Sequence, residues 1–146
     1  MFKHILAATD GSDFANSALT KTAALAKALS ATVTVATVSP PFTMVAPPEV
    51  TIAIPPEEYR QSLEKHAQAT LAAAAKPFLD AGLEVKTIHV PEKNAAEGLI
   101  EAAEANGCDL ITMASHGRRG LTKLILGSTA QEVVTRAHIP VLIYRD

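Results

Sequence analysis

The chain has a single cysteine, Cys108, and no tryptophan, and only 4% of its 146 residues are aromatic. One thiol excludes an internal disulfide and a zinc site built on cysteines. It also suits a reducing compartment. Two tyrosines and four phenylalanines leave no well-placed ring pair to sandwich a flavin, which argues against an electron carrier. Positive charge is not in excess either: 13 Lys and Arg against 15 Asp and Glu give a net charge of −2. A general nucleic-acid binder needs a basic surplus to displace counterions, and an anionic membrane would find little to attract it. No apolar run approaches the roughly 18 residues of a membrane span. The opening Met1–Asp10 meets an aspartate too early for a secretory signal. The expectation is a cytoplasmic protein that binds neither nucleic acid nor membrane.

What is present is aliphatic and small. Hydrophobic residues make up 48% and 27 residues are alanine, enough for one real core in one domain spanning 1–146. Short β-rich runs alternate with longer helical ones. Phe2 to Thr9 reads as a buried strand ending at Asp10-Gly11-Ser12-Asp13. A helix follows whose inward stripe is Ala15, Ala18, Leu19, Thr22, Leu25, Ala26 and Leu29, the spacing of a packed face. Thr32 to Ser39 is β-branched and reads as a second strand. Residues 40–56 hold six of the nine prolines, so neither helix nor central strand persists there; the segment is a lid, a contact surface or a cover for the protein's own sheet edge.

Glu57 to Ala81 reads as a long helix with the stripe Tyr59, Leu63, Ala67, Leu71, Ala74 and Phe78, kinked or interrupted near Pro77 and stopped by a left-handed Gly82. A third strand runs from Leu83 to Val90. Asn94 and Glu97 form a capping box for a helix carrying Leu99, Ile100 and Ala103, which ends at Asn106-Gly107. Asp109 to Ser115 is the fourth strand, Gly127 to Ala137 the last helix, and Val141 to Tyr144 a fifth strand placed after Pro140. Helical crossovers between near-continuously apolar strands predict an α/β fold: an open, five-stranded parallel sheet with helices on both faces, Rossmann-like. Such sheets bind ligands beyond the carboxyl ends of their strands, where strand order reverses.

The stretch from Ala114 to Thr129 leaves a strand and opens a helix. Its glycines allow backbone to approach an anion, the helix N-terminus presents unpaired N–H groups, and Ser128, Thr129, Arg118, Arg119 and Lys123 add hydroxyls and positive charge. These are the parts of a polyphosphate cradle, though not of a Walker loop. Read more plainly, Gly120 turns the chain and Ser128 caps the helix with Gln131.

At this point the chain resembles the universal stress protein family (UspA-like) over nearly its whole length. The resemblance is carried by Ile5-Leu6-Ala7-Ala8-Thr9-Asp10-Gly11-Ser12, by Asp109 through Gly120, by Gly127-Ser128, and by the closing Ile139-Pro140-Val141-Leu142-Ile143. ATP-binding members carry glycine, two residues, glycine, nine residues, then glycine and serine or threonine. Here Gly117 and Gly127-Ser128 match that pattern, and Ala114 stands at the first glycine position. The resemblance implies a stress-response regulator or nucleotide-dependent switch of the adenine nucleotide alpha hydrolase-like type, holding ATP (or ADP or AMP) with Mg2+. Asp10 would lie near ribose and, indirectly, the magnesium ion; Val38 would meet adenine. Gly117, Gly127, Ser128 and Thr129 would hold phosphates, with Met113, Ala114 and His116 lining the site and Arg118 reaching phosphate. Asp10 has a second reading as the cap of the first helix, unless Ser12 or Asp13 fills that position.

The resemblance also implies a homodimer. Val141-Leu142-Ile143-Tyr144 is apolar on both faces, and an apolar edge strand needs a cover: a second chain, a loop or the C-terminal residues. A pure interaction protein of the same family is the alternative function. Enzymatic chemistry finds little support. Ser115 and His116 are adjacent, so their side chains are expected to diverge, and no nucleophile elbow surrounds the serine. His4, His66, His89 and His138 lack metal-ligand spacing and read as surface or packing residues, and Cys108 as an inert thiol. ATP hydrolysis, if any, would be slow, with self-phosphorylation on Ser128, Thr129 or Ser115 a weaker option.

Overall fold

A computed structural model describes residues 1–41, 56–117 and 125–145. Within them run β1 (His4–Ala8), α1 (Asp13–Leu29), β2 (Thr32–Val38), α2 (Pro56–Asp80), β3 (Val85–Val90), α3 (Ala95–Ala105), β4 (Leu110–Ala114), α4 (Ser128–Arg136) and β5 (Val141–Tyr144). The strands form one sheet in the order β3-β2-β1-β4-β5, and every neighbouring pair is parallel. This is the open α/β sheet expected. The proline-rich segment, from Phe42 to Pro55, lies outside the described residues.

Strand alternation divides the core in two. Ile5 and Ala7 of β1 and Val33 and Val35 of β2 pack with Leu19 of α1 and with Leu71 and Phe78 of α2. Leu6 and Ala8 of β1, Ala36 of β2 and Ile111 and Met113 of β4 pack instead with Leu99 of α3 and Val133 of α4. Helices therefore cover both faces. Gly98 marks how closely α3 approaches the sheet: a methyl group there would meet Val38 Cγ1 at 2.9 Å.

Most local signals act as read. Ser12 Oγ accepts the Ala15 N–H at 3.2 Å and caps α1, and Asn94 Oδ1 accepts from Ala96 and Glu97 at the start of α3. Gly82 is left-handed at φ 76°. There the Leu83 N–H reaches back to Phe78 O and the Gly82 N–H to Leu79 O, the paired bonds of a Schellman stop. Two expectations are corrected. First, of the two effects expected at Pro77, the interruption does not occur: α2 continues to Asp80. The carbonyl that loses its donor belongs to exposed Ala73, where water can serve it, while fully buried Phe78 anchors the last turn. Second, Ser128 does not cap α4: it is the first helical residue, and Gly127 occupies the cap.

Candidate functional site

Strand order reverses between β1 and β4, and the carboxyl ends of these strands open on a cavity of about 630 Å³. That size lies within the usual range for small-molecule sites. Asp10, Val38, Met113, Ala114, His116, Gly117, Gly127, Ser128 and Thr129 all line it, so nine of the ten residues named from the sequence meet in one place. The tenth, Arg118, lies outside the described residues, as do Arg119, Gly120 and Lys123.

Asp10 sits where β1 turns into α1. Ser12 caps the helix, and Asp10 braces the turn before it, its Oδ1 accepting the Ser12 N–H at 2.9 Å. Its Oδ2 lies against Gly117, so closely that a methyl group built on Gly117 would collide with it. The second glycine of the motif thus makes room for the carboxylate of the first turn, and no spacing argument could suggest a pairing so distant along the chain.

Gly127 is hemmed in by backbone. A methyl group there would lie 3.0 Å from Ser115 O and 3.2 Å from His116 Cα, and its N–H already donates to Ser115 O at 2.7 Å. The first bond within α4 runs from the Gln131 N–H to Gly127 O. The amides of Ser128, Thr129 and Ala130 therefore have no carbonyl within the helix to serve. They form the positive end of α4, facing the cavity.

Ala114 ends β4 beside Tyr144 of β5. Alternation puts it on the same sheet face as Leu110 and Thr112, the latter bonded to Thr22 of α1 at 3.1 Å, whereas Met113 belongs to the α3/α4 face. Ser115 and His116 do not diverge as expected: Ser115 Oγ and His116 Nδ1 are 3.1 Å apart. The imidazole also stacks on Phe14, with ring centroids 4.4 Å apart and planes 16° off parallel. Sequence reasoning misses Phe14; only its place just after the first turn could have flagged it. Ala95 and Leu99 of α3 also reach the cavity wall and carry no sequence signal beyond helical periodicity.

Away from the cavity, Cys108 and Asp109 serve the core and the sheet. Cys108 is buried, and burial, with the nearby Asp109 carboxylate adding to it, pushes its thiol up to about 11, which makes it the inert thiol expected. Burial works against the charge on Asp109, but the N–H donors of Lys3 and His4 outweigh it and hold this carboxyl below its ordinary range. It ties the two central strands together at the end opposite the cavity. His4 bonds Thr34 Oγ1 at 2.8 Å, and His66 and His138 are exposed. Among the described residues no cluster of three or more His, Cys, Asp or Glu could hold a metal, and no helix is long and apolar enough to cross a membrane.

The comparison with known proteins agrees with this architecture. The universal stress protein family model matches residues 1–145. A universal stress protein of Methanocaldococcus jannaschii is 31% identical over 99% of this chain and 83% of its own length. Among solved structures, that of MJ0577 from the same organism superposes with a TM-score of 0.80 at 27% identity, over 100% of this chain and 97% of the other. Two more distant structures share the fold: a universal stress protein in complex with cAMP (TM-score 0.72, 22% identity, 99% and 97% covered) and one from Archaeoglobus fulgidus in complex with dAMP (TM-score 0.66, 20%, 98% and 97%). With the family model matching residues 1–145 and a relative 31% identical over 99% of this chain, this chain belongs to the universal stress protein family.

Proposed function

We propose that the cavity between β1 and β4 holds ATP or a related adenine nucleotide, and that the protein is a nucleotide-dependent regulator in the stress response. The observation that carries this reading is the convergence of Asp10, Gly117 and the open N-terminus of α4 on one cavity at the strand-order switch. The α4 amides and the Ser128 and Thr129 hydroxyls suit phosphate, the Asp10 carboxylate suits ribose hydroxyls, and Val38 offers an apolar wall for a base. Relatives of the same fold bound to cAMP and dAMP support an adenine nucleotide in particular. Ala114 lines the cavity at the end of β4, and a single methyl group is the smallest departure from glycine that a side chain can make there. One carboxylate does not make a metal site, so Mg2+ would arrive with the phosphates, with Asp10 acting on it indirectly.

In the same reading, the protein is cytoplasmic and pairs with a second copy through β5. This strand is at the sheet edge, with Leu142 36% exposed. Tyr144→Asp would set a charge in that contact, and sedimentation velocity should show the dimer falling to monomer; an unchanged profile places the contact elsewhere.

Titration calorimetry of nucleotide-stripped protein with ATP and magnesium tests the main proposal. Micromolar binding, about −8 kcal/mol, is expected. No heat and no shift in melting temperature would overturn it in favour of a dimeric interaction protein of the same family.

A further inference from the structure

On the other face of the sheet, away from the cavity, three side chains from three elements form a hydrogen-bonded line. Ser39 Oγ, just past β2, lies 2.8 Å from His89 Nε2 on β3. His89 Nδ1 lies 2.5 Å from Glu64 Oε2 on α2, and Glu64 is held in turn by Gln68 Nε2 at 2.6 Å through its other oxygen, Oε1. The His89 side chain is only 4% exposed. The carboxylate can only accept, so Nδ1–H is donated to it, and in the neutral ring Nε2 is then the atom that accepts the serine proton. This is the serine–histidine–carboxylate order of an activated nucleophile. The serine is also fixed in place, since its N–H donates to Val90 O and its carbonyl accepts from the Lys93 N–H.

The geometry points to Ser39 as a reactive centre apart from the cavity, a nucleophile activated by His89 and Glu64 toward small esters with a good leaving group. In the step, Ser39 Oγ bonds to the ester carbonyl carbon while its proton passes to His89 Nε2. The bond to the leaving oxygen then breaks, that oxygen departs with the electron pair, and it takes the proton back from the imidazolium. Water later cleaves the acyl-serine, releasing the acid and restoring Ser39. Two features set the pace. Pro40 follows the serine and has no N–H to offer an oxyanion, and Ser39 is only 9% exposed. The chemistry is therefore slow, and acylation or phosphonylation of Ser39 is easier to detect than turnover.

The test incubates the full chain with an alkyl fluorophosphonate, in which Oγ bonds to phosphorus, fluoride leaves and the proton goes to His89. Intact mass should show one phosphonyl group per chain, and peptide mapping should locate it on Ser39. His89→Gln should slow labelling about 100-fold or more, the scale of a general base. Glu64→Gln should slow it about tenfold, because solvent screens a carboxylate that is 53% exposed. Wild-type protein alone can overturn the proposal: no adduct, or an adduct on Ser115 beside His116 instead, ends it. A Ser39 adduct that forms equally fast in a folded His89→Gln variant, checked by thermal melting, makes the line of side chains merely structural.

Discussion

Val38 and Ser39 are neighbours in the chain, yet they face opposite sides of the sheet and two different kinds of place. Val38 turns to the α3/α4 face and forms a wall of a cavity framed by glycines, a helix terminus and one carboxylate. Ser39 turns to α2 and is taken up at once by His89 and Glu64. The first place is built from backbone and empty space, with donors that no carbonyl in the helix satisfies. The second is built from side chains that satisfy one another. A cavity of the first kind suits a ligand that brings its own charge; a line of the second kind suits chemistry on a small reactive group, or plain cohesion.

Substitutions can break this contrast, and the largest effect is expected at Gly127. Valine there would press on the Ser115 carbonyl and on His116 and push the α4 terminus out of place. Nucleotide affinity should fall more than about 100-fold, roughly 2.7 kcal/mol, by titration calorimetry. Unchanged binding in a folded variant would mean that the cavity is not the ligand site. Removing His89 addresses the other place. His89→Ala deletes two hydrogen bonds and leaves a buried space, so denaturant unfolding should report a loss of about 1–3 kcal/mol. A loss near zero would show that α2 does not depend on this line for its docking.

A gentler probe of the cavity is Gly117→Ala, which forces the Asp10 carboxylate aside and should weaken nucleotide binding about tenfold, or roughly 1.4 kcal/mol. Equal affinity would separate Asp10 from ligand recognition. The smallest effect is in acid. Hydrogen bonds from Gln68 and then His89 hold Glu64 below its ordinary value of 4.5. A carboxylate lowered by folding adds stability above its unfolded value, and this is lost as pH falls through the folded one. The stability difference between wild type and Glu64→Gln should therefore shrink on acidification below about pH 4.5. A difference that persists there would assign the effect of Glu64 to packing.

Much of the fold was legible because short-range physics writes it. The stripe from Ala67 to Phe78, the caps at Ser12 and Asn94 and the left-handed Gly82 each depend on a few neighbouring residues, and each acts as its local chemistry requires. Pro77 is the exception that shows the limit. A proline breaks an isolated helix, but here the buried Phe78 and the Schellman stop beyond it carry α2 past the missing donor. The cavity was legible in part, through a glycine spacing and a family resemblance that brought Asp10, Gly117 and Gly127 forward. The contact between Asp10 and Gly117 was not, nor was Phe14 under His116.

The histidines divide the two levels most plainly. Spacing alone reads His4, His66, His89 and His138 as surface or packing residues, and for His66 and His138, both exposed, that reading stands. For His89 it misses the partners, because Ser39 and Glu64 lie 50 and 25 residues away and come from different elements. By itself the sequence determined the alternation of strands and helices, the parallel sheet and, with one cysteine, the lack of an internal disulfide, since these follow from composition and from periods of two and 3.6 residues. Only the tertiary structure decided which strand ends adjoin, which face each side chain takes and which distant groups share a proton. Hydrogen bonds and collisions depend on separations of a few ångströms, and sequence distance does not encode those.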